Sequence, residues 1–130
     1  MRLFLKIVLS IIIVIILFGV SGIFFLTRGI EAGRQQVINN VDLRQLSDGT
    51  YDGKYESGRW SNELMVTIKD NKISKIDMVK DVTIPKSGVS DELFNKVVKK
   101  QNTDVDVVSG ATVTSKAYLK AIEDALKKGK

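Results

Sequence analysis

The chain has 130 residues, with 20 Lys and Arg against 15 Asp and Glu (formal net charge +5), and neither histidine nor cysteine. That composition excludes disulfides, thiol chemistry, zinc or haem held by Cys or His, and a histidine general base, so any redox chemistry must come from a borrowed cofactor. The length suits one membrane segment and one small domain, and a mild positive excess without a basic stripe among aromatics is no nucleic-acid footprint.

In chain order, the first element is an apolar run, Ile7 to Thr27, closed by Lys6 and Arg28. At ~1.5 Å per helical residue it spans a ~30 Å hydrocarbon layer. A cleaved signal peptide has a shorter apolar stretch, about 7–15 residues, ending in small residues. Gly19, Ser21 and Gly22 imitate such a site, but Ile23-Phe24-Phe25-Leu26 carries the run past them. We therefore expect a single-pass anchor over residues 1–28. Arg2 and Lys6 before it nearly balance Arg28 and Arg34 after it, and the very short N-terminal tail favours a cell-membrane protein whose C-terminal domain is extracytoplasmic.

Residues 29–47 read as a stalk. Val37, Ile38, Val41, Leu43 and Leu46 give a loose helical stripe, which predicts either a helix continuing from the anchor or a flexible tether. A domain over 48–130 follows. Gly49 to Gly58 reads as a strand interrupted by glycines. Glu63 to Lys69 is a strand with Leu64, Val66 and Ile68 on one face and Met65 and Thr67 on the other. Asp70-Asn71 suits a two-residue hairpin turn, and Lys72 to Val79 returns with Ile76 and Met78 on one face.

Lys80 to Val89 is irregular and holds the one proline, Pro85. Ser90 is the expected N-cap of a helix with Asp91 and Glu92 in its first turn and Leu93, Phe94, Val97 and Val98 as its buried stripe, ending near Gln101-Asn102. Val105 to Val108 is a short strand or extended run. Thr114 or Ser115 is the expected cap of the last helix, whose apolar face is Tyr118, Ala121, Ile122, Ala125 and Leu126. The sum is an α+β fold: one N-terminal transmembrane helix, then a small antiparallel-sheet domain with two packed helices.

The chemistry concentrates in Asp106-Val107-Val108-Ser109-Gly110-Ala111-Thr112-Val113-Thr114-Ser115. Gly110 and Ala111 leave the backbone bare, and the helix that follows presents free N–H groups and the positive end of its dipole, which favour a phosphate. Ser109, Thr112, Thr114 and Ser115 add hydroxyls. On physics alone this is either a phosphate cradle or an ordinary loop before a helix.

Three blocks carry a resemblance: Asp48-Gly49-Thr50-Tyr51-Asp52-Gly53, Val66 to Ile73, and Asp106 to Ser115. Their order and spacing resemble the FMN-binding domain family, which includes the C subunit of the sodium-translocating NADH:quinone reductase and the G subunit of the related electron-transport complex. The resemblance implies FMN as cofactor, joined by a phosphoester to Thr112 by a flavin transferase that uses FAD. It implies that Asp106 serves the transferase motif, and that Ser109, Gly110, Ala111 and Ser115 line the phosphate end.

The segment Lys80 to Gly88 departs from the family pattern in lacking a glutamate, which leaves Thr83 and Gly88 in its place. A threonine hydroxyl is a poor nucleophile without an activating base or metal, and with no histidine here an external transferase fits better than self-modification. The implied protein is an electron carrier and not an enzyme in its own right, with no metal site. Its implied partners are the bilayer, the transferase and a membrane redox protein such as a quinone reductase or another flavoprotein. The alternatives are a non-covalent FMN module or sensor, and a structural membrane protein without cofactor. Tyr51, Tyr55 and Trp60 either stack on a flavin ring or pack on strand faces, and Trp60 beside Arg59 also suits a membrane interface.

Overall fold

A computed structural model describes residues 1–130. Helix α1 (Arg2–Thr27) has a mean hydropathy of 3.1 over its most apolar window and buries none of its residues against the rest of the chain. It is long and apolar enough to cross a membrane. Gly29, at φ +84°, breaks it. A five-residue helix, α2 (Ile30–Arg34), follows.

The stripe that suggested a helical stalk is real but is used differently. The chain is not helical from Gln36 to Asp42, and a 3₁₀ turn at Leu43–Gln45 follows. Val41 and Leu46 are buried in the main hydrophobic core, with Ile38 and Leu43 packed against it. Burial against the domain has overridden a weak local helical preference, as it does wherever propensity and packing compete.

Strands β1 (Gly49–Tyr55), β2 (Asn62–Lys69) and β3 (Lys72–Lys80) form an antiparallel sheet in the order β1-β2-β3. The β2–β3 turn is Asp70-Asn71, at φ +52° and +60°. Two consecutive left-handed residues make the turn whose twist matches a hairpin. Register shifts between Thr67 and Ile68, where Ile68 faces Ile73 while Thr67 faces Lys75. The extra residue at Ser74 brings Ile73 onto the same face as Ile76 and Met78, which a strict period of two forbids.

Helix α3 (Val89–Lys100) buries Leu93, Phe94 and Val97, and α4 (Thr112–Lys128) lies over the sheet with Tyr118, Ala121, Ile122, Ala125 and Leu126 inward. The α+β class and the expected helix faces are present. Two caps differ. Gly88, at φ +80°, occupies the N-cap of α3, and Ser90 sits inside the helix. Helix α4 starts at Thr112 with Ala111 as N-cap and no side-chain cap, so neither Thr114 nor Ser115 caps it. Val105 to Val108 forms no strand. The β3 edge beside α3 is met by Gln101 instead, which accepts from the Ile73 N–H (2.7 Å) and donates to the Ile73 carbonyl (3.0 Å).

Glu123 was not singled out in the sequence, yet it ties 29–47 to α4. Its carboxylate is buried. It accepts from the backbone and side chain of Asn39 (both 3.2 Å) and pairs with Lys120 (3.0 Å) and Lys127 (2.8 Å). Burial by itself raises its pKa, but the hydrogen bonds from Lys127, Lys120 and Asn39 overcome that and hold it at about 2. The folded value lies below the ordinary 4.5, so the stabilisation is complete above about pH 4.5 and is lost as pH falls toward 2. Urea unfolding across that window is expected to lose on the order of 3 kcal/mol through this group. Glu123→Gln should flatten that part of the profile.

Candidate functional site

The segment before α4 makes a turn from Val108 to Ala111, closed by the Ala111 N–H donating to the Val108 carbonyl (3.0 Å). Gly110, third in that turn, has φ +76°, a value that glycine adopts at no steric cost. The Val108 N–H donates to Ser115 Oγ (3.1 Å), which pins the loop to the second turn of the helix. Lys86 Nζ donates to the Gly110 carbonyl (2.7 Å).

Beside this turn lies a cavity of about 340 Å³, within the usual range of ligand sites. Gly110, Ala111, Thr112, Val113 and Thr114 form one wall. The others come from far along the chain: Ile30 and Arg34 of α2, Arg59 and Trp60 of the β1–β2 connection, and Ile84 and Lys86 of the β3–α3 loop. Three cations and no carboxylate line it. The first amides of α4, at Thr112, Val113 and Thr114, donate to no acceptor in the protein. The Thr112 hydroxyl makes no hydrogen bond within the chain, and the residue is half-buried.

This donor set is complementary to a phosphate. Unbonded amides at a helix N-terminus, cations from three segments and a free hydroxyl all favour negative charge within this one cavity. Ile30, Trp60, Ile84, Ala111 and Val113 supply apolar wall for the rest of a ligand.

The residues singled out from sequence divide. Thr112, Thr114, Gly110 and Ala111 reach the cavity. Ser109 is exposed on the turn and not part of the lining. Ser115 is fully buried and braces the loop. Thr83 is exposed, its amide held by the Arg59 carbonyl (2.9 Å), one residue from the lining. Asp106 is exposed and faces a separate depression with Lys96, Lys99 and Lys100.

Among the aromatics, Trp60 is buried rather than exposed at an interface. It packs in the core, walls the cavity and carries the Arg59 guanidinium 4.1 Å above its ring. Tyr55 packs against the core, and Tyr51 donates its hydroxyl to the Ser47 carbonyl (2.7 Å). Sequence reasoning missed Arg34, Arg59 and Lys86 as cavity residues. Arg34 counted only as a charge flanking the apolar run.

Fold and cavity define a small α+β domain with a cationic, partly apolar cavity at the start of its last helix. Comparison with protein families gives the class a name. The FMN-binding domain model matches residues 58–127, more than half of the chain. The chain belongs to the FMN-binding domain family, and its cofactor is FMN. An uncharacterized protein of Treponema pallidum (strain Nichols) is 33% identical over 84 residues, covering 63% of this chain and 23% of the relative. The chain thus spans less than a quarter of that relative's length.

Proposed function

We propose that this protein is a membrane-anchored electron carrier whose FMN is esterified to Thr112. The observation that carries the reading is the placement of Thr112. It is the first residue of α4, its hydroxyl is unengaged, and it lines a cavity with three cations and three unbonded amides. In the proposed attachment, Thr112 Oγ forms a bond to the flavin-side phosphorus of FAD, the bond from that phosphorus to AMP breaks, and AMP leaves. The hydroxyl proton passes to a base supplied by a flavin transferase, since no carboxylate or histidine of this chain lines the cavity. Bound FMN supplies one- and two-electron chemistry, while the protein supplies position and field.

In this reading α1 is the anchor, the domain lies outside the cytoplasm, and the redox partner is another membrane protein. Asp106 acts on the outer surface, where a modifying enzyme reaches it, not within the cavity.

A denaturing gel of protein co-produced with a flavin transferase tests the reading. Flavin fluorescence is expected to travel with the polypeptide. Flavin that leaves on denaturation would replace the ester by a reversible site. For Asp106→Ala, sharply reduced labelling is expected with an unchanged melting temperature. Full labelling of that variant would remove Asp106 from transferase recognition.

A further inference from the structure

The cavity is built partly from the junction that follows α1. Arg34, on α2, lies upstream of the region that the family model matches. Arg59 belongs to the domain, yet its Nε donates to the Leu26 carbonyl in the last turn of α1 (2.8 Å). The two guanidinium groups therefore line the same cavity while belonging to opposite sides of a joint between α1 and the domain.

The joint itself is close-packed. A Cβ at Gly33 would lie 2.5 Å from Val113 Cγ1, and one at Gly29 would lie 3.5 Å from the Trp60 ring. Lys116 donates to the Arg34 carbonyl. Against this, neither guanidinium has a carboxylate partner within ion-pair distance. Two unneutralised cations beside Lys86 repel one another, and an anion between them removes that repulsion.

We propose that Arg34 and Arg59 clamp the FMN phosphate, so that the cofactor locks the packed joint between α1 and the domain. The phosphate joins α2 to the β1–β2 connection and to the start of α4 in one charge-assisted cluster. Binding the flavin and fixing the domain against α1 are then one event, and each favours the other by linkage. A flavin held this way stays near the end of α1 and does not swing on a tether. The clamp rests on the phosphate placement proposed above, but it does not need the ester.

The test uses full-length protein in detergent micelles, made without a flavin transferase and so free of covalent flavin. FMN and riboflavin, which lacks the phosphate, are titrated in parallel, and amide hydrogen exchange is followed over residues 26–38. FMN is expected to bind more tightly than riboflavin and to slow exchange at the joint. Arg34→Gln should weaken FMN about tenfold, leave riboflavin unchanged and abolish the protection. Lys86→Gln, away from the joint, should weaken FMN yet leave the protection intact at saturation. Equal affinity for the two flavins, failure of the bare chain to bind FMN, or undiminished protection in saturated Arg34→Gln would each overturn the clamp. None of these results bears on the ester, which the denaturing gel reads separately.

Discussion

Thr112→Ala is expected to yield a folded protein that carries no flavin through denaturation, even when co-produced with an active transferase. The effect should be all or none, because the variant removes the only atom to which the proposed ester is made. Stability should hardly change. The Thr112 hydroxyl has no hydrogen-bond partner in the chain, and the residue is only half-buried. Alanine is also the better helix former, so the folding free energy should move by no more than about 0.5 kcal/mol. A matched thermal melt and in-gel fluorescence separate the two effects. Fluorescence that persists in the variant would move the attachment to another hydroxyl, with Thr114 the nearest cavity-lining alternative.

Gly53→Val is expected to have the largest effect on the fold. Gly53, on β1, is buried beneath α4, where a Cβ would stand 2.0 Å from the Ala121 carbonyl oxygen and 2.8 Å from Ala125 Cβ. The first of these atoms is helix backbone and cannot rotate away. Relief requires α4 to lift from the sheet, and α4 carries the cavity wall and the most buried side chains. A loss of at least about 3 kcal/mol is expected, at the upper end for overpacked cores. In a domain of this size that lowers the melting temperature by roughly 12 °C or more. Gly33→Ala meets a side chain, Val113, at 2.5 Å. Because that neighbour can rotate, the cost there should be smaller. Equal melting of Gly53→Val and the parent protein would show that α4 does not pack on β1 at this point.

What was legible in the sequence was local. The hairpin follows from alternation in Leu64, Val66 and Ile68 and from two residues that tolerate positive φ, both properties of neighbouring positions. Helix α4 follows from Tyr118, Ala121, Ile122, Ala125 and Leu126 at helical spacing. The turn before α4 was legible because glycine, small side chains and a helix start fall within a few residues.

The charged half of the site was not. Arg34, Arg59 and Lys86 lie in three separate segments, and no periodicity links them; only the packing of α2 on α4 and the folding of the β3–α3 loop bring them together. The segment after α2 misled for a related reason. Its apolar residues are spaced loosely enough for a helix, but Val41 and Leu46 reach the core from non-helical chain that Asn39 and Glu123 hold in place. Asp106 shows the converse. It stands six residues before Thr112 in the chain, yet it lines a separate depression with Lys96, Lys99 and Lys100 and not the cavity.

The most direct measurement is the mass of the peptide containing residue 112, from protein co-produced with a flavin transferase. The account predicts an increase equal to FMN less one water, located by fragmentation to Thr112. An unmodified peptide from fully transferase-exposed protein, or the added mass on a different residue, would contradict it.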